Sequence, residues 1–192
     1  MSNAFILKIL EDFVEVSTLA GLRITLAELK IEESPPPHAK PKTLPAGLVA
    51  VYMFKYGDKF LKIGKAGPKS VARYCSQHYG VNAPSTLAKS LIQHQARLNL
   101  SGLEEANIGN WICRNTTRIN VLFSANHGPA ALSLLESFLH CRLNPMFEGF
   151  ESQKIIAQPA SSRHLREKAL QVASNNALAT ALVENIERNN LN

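Results

Sequence analysis

The stretch from Leu48 to Gly64 sets a phenol and an ammonium into two runs that are otherwise apolar. It reads L-V-A-V-Y-M-F, then K-Y-G-D-K, then F-L-K-I-G. Tyr52 is the polar tip of the first run and Lys62 that of the second. A tyrosine ordinarily titrates near pH ~10, and a cation beside it favours the phenolate. A phenolate next to a reacting group is a general base.

Whether Tyr52 and Lys62 can act together depends on the hairpin that carries them. Gly57-Asp58 between two apolar runs is a turn signal. A two-residue loop there puts Tyr52 opposite Ile63 and turns Lys62 to the other face, because side chains alternate along a strand. A three-residue loop, Tyr56-Gly57-Asp58, puts Tyr52 directly across from Lys62, with Cβ atoms about 5 Å apart. We expect the odd-length loop, since a shared site needs both tips on one face. The plain alternative is a core hairpin with a snorkelling lysine.

After the hairpin, Gly67-Pro68 starts a helix and Gly80 stops it. Arg73 lies about one turn into that helix and aims its guanidinium back over the hairpin. Gln77 shares the face of Arg73 by i,i+4 spacing, while His78 is turned away by more than a quadrant. Another helix begins at Ala83-Pro-Ser-Thr, capped by Ser85 or Thr86, and runs to Leu98. A short one runs from Ser101 through Trp111. Arg118 to Ser124 alternates and forms a third strand. Asn126-His-Gly-Pro opens an apolar helix, Ala130 to Leu143, ended by Asn144-Pro145. Glu136 sits among its leucines. A buried carboxylate needs a cation or a metal as partner. On helical geometry alone, Ser133, Glu136, Ser137 and His140 make an exposed side instead.

Composition narrows the class. The 192 residues suit one domain of ordinary size with extensions. A hydrophobic content of 45% supports a real core. A net charge of +6 and a pI of about 9.3 favour a polyanionic partner. The three cysteines, Cys75, Cys113 and Cys141, form no C-x-x-C pair, so free thiols in a reducing compartment are expected. No signal-peptide pattern opens the chain, and no apolar run reaches about 18 residues. A cytoplasmic protein without a membrane span is expected.

Residues 1–33 read as an N-terminal helical arm. Phe5, Ile6, Ile9, Leu10, Phe13 and Val16 recur at helical spacing, and Gly21 breaks the pattern. Thr25-Leu-Ala-Glu-Leu resembles a capped short helix, although alternation across Leu22, Ile24 and Leu26 also permits a strand. The arm carries more acidic than basic residues, which favours packing over phosphate binding. Residues 34–46 are a proline-rich linker, and residues 47–150 are the main domain. Residues 151–192 form a C-terminal helical extension, with a helix from Arg163 to Arg188 that suits docking before dimerisation or contact with nucleic acid.

Taken in order, Val51-Tyr52 in one strand, Lys62-Ile63-Gly64 in the next, Arg73 on a helix, Glu136 on a later helix and Asn144 just after it resemble the GIY-YIG nucleases. The resemblance spans residues 47–149. It implies an α/β (α+β) fold, with a small three-stranded antiparallel sheet flanked by helices. It also implies that Tyr52, Lys62, Arg73, Glu136 and Asn144 are catalytic and that Glu136 binds one Mg²⁺ or Mn²⁺. The chain departs from the family's pattern at two places. Ala50-Val51-Tyr52 lacks the glycine and isoleucine of the first motif. Lys62 stands where a second tyrosine is usual, as in some restriction enzymes of this family. Some members carry a histidine one turn after the arginine; Gln77 has that spacing here, and His78 is one residue late.

The chemistry that the resemblance implies is metal-dependent hydrolysis of DNA phosphodiester bonds. Tyr52 would be the general base, and Arg73 would clamp a phosphate oxygen with its planar fork. Glu136 would hold the metal, which takes oxygen ligands and keeps several waters. Lys65, Lys69, Gln77 and His78 are candidate contacts to the nucleic acid, with DNA expected over RNA. A palindromic cutter is expected to act as a homodimer. Two other readings stay open. One is a nucleic-acid-binding module of the same fold with a weakened site. The other is a structural or interaction protein in which residues 160–190 mediate assembly.

Overall fold

A computed structural model describes residues 3–147. The expected C-terminal helix and the rest of the extension 151–192 lie outside the described residues. Strands β2 (Leu48–Tyr56) and β3 (Lys59–Ala66) form the hairpin. Its turn is Gly57-Asp58, with Gly57 at φ 55, a left-handed backbone that glycine adopts without a Cβ penalty. Strand β4 (Thr117–Ser124) pairs antiparallel with the other side of β2.

The expected count of three strands is corrected by a fourth. Lys30–Ser34 forms β1 and pairs antiparallel with β4, giving the order β1-β4-β2-β3. The fold is therefore α+β with an open four-stranded antiparallel sheet. The segment K-I-E-E-S has one apolar residue, so it carries almost no strand signal of its own. Backbone pairing to β4 makes it a strand, at an edge where charged side chains face water.

Among the described residues, five α-helices cover the two faces: α1 (Asn3–Leu19), α2 (Val71–Cys75), α3 (Leu87–His94), α4 (Glu105–Asn115) and α5 (Gly128–Leu143). On one face, Val49, Val51 and Met53 of β2 pack with Ile6, Leu10 and Phe13 of α1 and with Leu132, Leu135 and Leu139 of α5. The N-terminal segment is thus built into the core rather than laid on it. The rings of Phe13 and Phe138 lie 5.6 Å apart, and Asp12 pairs with Arg142 at 2.7 Å. On the other face, Ala50, Tyr52 and Phe54 pack with Leu87 and Leu91 of α3 and with Ile108 and Ile112 of α4. Each such large side chain, once buried, contributes roughly 1.5–3 kcal/mol.

The proline-rich segment is tied down at several points: the His38 backbone N–H donates to the Cys113 carbonyl at 2.9 Å, Lys40 lies over the Tyr79 ring, and Leu44 is buried in the core on this face. Among the described residues, no helix is long and apolar enough to cross a membrane.

Candidate active site

The hairpin reaches the expected parity by an unexpected route. The turn is the two-residue one, and Tyr56 pairs with Lys59 and Lys55 with Phe60. Between Phe54 and Lys55 the register shifts by a β-bulge, so that Phe54 pairs with Lys62 and Leu61 is the extra residue. Tyr52 and Lys62 therefore do share a face. They are diagonal neighbours, because the residue directly across from Tyr52 is Gly64. The return of the chain after α5 holds the bulge, with Met146 and Phe147 N–H donating to the Phe60 and Leu61 carbonyls at 2.9 and 2.8 Å.

Lys62 is buried and anchored away from the phenol. Its Nζ donates to Ser85 Oγ and to the Phe147 carbonyl, each at 3.2 Å. Gly64 leaves open space beneath the Tyr52 ring, so the phenol extends over β3 toward the edge of the sheet.

The expected continuous helix from residue 68 to 80 breaks after Cys75. Ser76 leaves helical geometry, and Gln77–Tyr79 continues as a 3-10 turn. The break rotates His78 inward, so the helical-wheel expectation that turned it away from Arg73 is corrected. His78 is 2% exposed and cannot contact nucleic acid from the surface, whereas Gln77 is exposed. Gly109 of α4 permits this packing, because a Cβ there would meet the Tyr79 carbonyl oxygen at 2.6 Å.

These movements bring two groups onto one oxygen. His78 Nε2 lies 2.6 Å from Tyr52 Oη, and Arg73 Nε donates to the same oxygen at 3.1 Å. The Leu87 backbone N–H donates to His78 Nδ1 at 3.2 Å. A backbone N–H can only donate, so Nδ1 is the bare nitrogen and the neutral ring carries its proton on Nε2. His78 therefore donates to Tyr52. Burial, with the charges of Lys62, Arg73 and Arg118, pushes the His78 pKa down to about 3, which keeps the ring neutral. The Tyr52 oxygen thus receives two N–H donors, an arrangement that favours the phenolate. Burial opposes it and is the largest influence, raising the Tyr52 pKa. The charge and hydrogen bond of Arg73 and the charge of Arg118 pull it back, and the charge of Glu136 pushes it up.

Glu136 approaches from the other face of the sheet. Its carboxylate pairs with Lys65 Nζ at 2.7 Å, and that ammonium also donates to Ser133 Oγ at 2.9 Å. The exposed-side alternative is corrected in part: Ser137 faces water, while Glu136 is one-fifth exposed and turned toward β3. A single concave face holding Tyr52, Lys62, Arg73 and Glu136 together is not what the chain builds. Tyr52 and Glu136 start on opposite faces, and β3 is the edge strand between them.

Among the described residues, no cluster of three or more His, Cys, Asp or Glu side chains could hold an ion. One carboxylate fits one hydrated hard cation that keeps most of its waters, and Lys65 must release the carboxylate first.

The chain matches no family model, no curated protein and no solved structure.

Of the remaining expected residues, Asn144 is exposed, and its left-handed backbone (φ 43) ends α5. Lys69 is exposed in the loop before α2. Arg118, which the sequence presents only as the start of a strand, is 1% exposed and lies against the Tyr52 ring. Its signal was faint. In Arg118, Asn120 and Leu122 the polar residues alternate as on a solvent face, and only pairing of Arg118 with Phe54 reveals that this face is covered.

Proposed function

We propose that this chain is a metal-dependent endonuclease that hydrolyses DNA phosphodiester bonds, organised like the GIY-YIG nucleases. The observation that carries the reading is the convergence of Arg73 Nε and His78 Nε2 on the Tyr52 oxygen. Two donors stabilise negative charge on that oxygen and leave it able to take a proton from an attacking water. Arg73 is itself exposed, so its terminal nitrogens can reach a phosphate oxygen while Nε stays near the phenol. Lys69, exposed in the loop before α2, supplies positive charge for a polyanion, in keeping with the net charge of +6. Glu136 would hold the divalent cation, which when bound neutralises charge on the phosphoryl group.

A second reading has its own support. Tyr52 has no exposed surface, and Glu136 is occupied by Lys65. Both features suit a nucleic-acid-binding module with a closed site.

Nicking of supercoiled plasmid in Mg²⁺ or Mn²⁺ separates the two. The nuclease reading expects metal-dependent nicking that is lost in both Tyr52→Phe and Glu136→Ala. A folded wild type that retains DNA in a salt-dependent way without cutting it supports the binding module. Cutting that survives both substitutions removes these residues from the mechanism.

A further inference from the structure

Among the described residues, Arg118 is a buried cation with no carboxylate paired to it. It stands on β4 directly across from Phe54 and is 1% exposed. Each of its three nitrogens donates to a neutral acceptor: Nε to Asn120 Oδ1 at 3.0 Å, Nη1 to Tyr79 Oη at 3.1 Å, and Nη2 to the Tyr74 carbonyl at 2.6 Å. Its guanidinium carbon lies over three rings, 5.5 Å from Tyr52, 5.3 Å from Phe54 and 4.7 Å from Tyr74. Among the described residues, no carboxylate lies within 4.0 Å of it. Burying an arginine this way is costly, and hydrogen bonds to neutral groups offset only part of the cost. If its only task were to tie Tyr74 and Tyr79 to the sheet, a neutral amide would do so without the charge.

We propose that Arg118 is a positioning residue for the candidate base: a fixed buried cation whose charge is balanced when Tyr52 gives up its proton. The inference rests on the reading of Tyr52 as a base. Negative charge that spreads from the phenolic oxygen into the ring strengthens the attraction of the guanidinium, whose carbon lies 5.5 Å from the ring's centre. The other titratable or charged groups around Tyr52 are Arg73 from α2, His78 from the turn after it, Lys62 from β3, Glu136 from α5, and the phenols of Tyr74 and Tyr79. Arg73 is exposed, and a phosphate held by its terminal nitrogens would neutralise its charge. Arg118 is enclosed and stays in place, so its contribution persists after substrate binds.

The test needs neither DNA nor metal. The full chain is labelled at tyrosine Cζ and arginine Nε and titrated by NMR. The Tyr52 signal is identified among the four tyrosines by its loss in Tyr52→Phe. The Arg118 signal is identified by its loss in Arg118→Lys. In the wild type, the Arg118 Nε signal should shift with the midpoint of Tyr52, and that shift should vanish in Tyr52→Phe. Arg118→Lys, which keeps the charge, should leave the Tyr52 midpoint nearly unchanged, and Arg118→Met should raise it by about one pH unit or more. Three results each overturn the proposal: an Arg118 signal that ignores the Tyr52 titration, an unchanged midpoint in Arg118→Met, or a Tyr52 that stays protonated until the wild type unfolds in alkali. Should Arg118→Met fail to fold, the wild-type coupling decides alone. Absence of plasmid nicking alongside a coupled titration would refute the nuclease and leave this inference standing.

Discussion

A Cβ on Gly64 would stand 2.5 Å from the hydroxyl oxygen of Tyr52 and 2.7 Å from the carbon that bears it. The phenol lies flat across the one residue of β3 that has no side chain. Gly64→Ala therefore has to displace the ring from both its donors. We expect a loss of about 1–3 kcal/mol, as for overpacking elsewhere in a core, read by urea denaturation. The His78 ring signal should shift with it. A variant as stable as the wild type, with His78 unmoved, would refute the close approach.

His78 makes stability depend on acid. Its folded pKa of about 3 lies below the ordinary value of 6.5, so below pH 6.5 the unfolded chain takes up a proton that the folded chain refuses. The contribution is complete above pH 6.5 and is lost as pH falls toward 3. The slope is up to about 1.4 kcal/mol per pH unit. Denaturation of the wild type and His78→Gln at several pH values between those limits should show a shallower slope in the variant. Parallel slopes would mean that His78 is charged in the folded state.

The pair Lys65–Glu136 is partly exposed and should matter little to stability. Glu136→Gln is expected to cost about 0–1 kcal/mol. Lys65→Ala should do more to metal than to folding. With the ammonium gone, Glu136 is released, and Mn²⁺ should bind several-fold more tightly, as followed by calorimetry or by the spin resonance of free Mn²⁺. Equal Mn²⁺ affinity in Lys65→Ala and wild type would remove Glu136 as the metal ligand.

Thr86 acts on the phenol through two intermediaries. Its Oγ1 accepts the Lys89 N–H at 3.1 Å and caps α3, and the first turn of that helix supplies the Leu87 N–H that sets the His78 tautomer. Thr86→Ala should cost about 0.5–2 kcal/mol. It should also loosen His78, seen as faster exchange of the Nε2 proton. Thr86→Ser should restore both.

Much of this arrangement was legible because it follows from apolar pattern. The runs around Tyr52 and Ile63, the alternation of residues 118–124 and the leucine-rich α5 each announce their own geometry. The first edge strand did not, because K-I-E-E-S becomes a strand only through β4. The inward turn of His78 depends on a helix that stops at Cys75, while the sequence shows no breaker before Gly80. Tertiary contacts with α3 and α4 override local propensity there. Arg118 was hidden because a buried cation and an exposed one look alike in a polar alternation. The opposition of Tyr52 to Gly64 rather than Lys62 turned on a bulge, which leaves no mark in composition.

That bulge separates folding from the site. A hairpin of the same length that kept its two-residue turn but lacked the bulge would set Tyr52 across from Ile63. An isoleucine side chain would then lie beneath the phenol where Gly64 now lies, and the ring would have nowhere to rest. The capacity to assemble these groups is held in the register of the hairpin, in one residue set out of line, rather than in the composition of its strands.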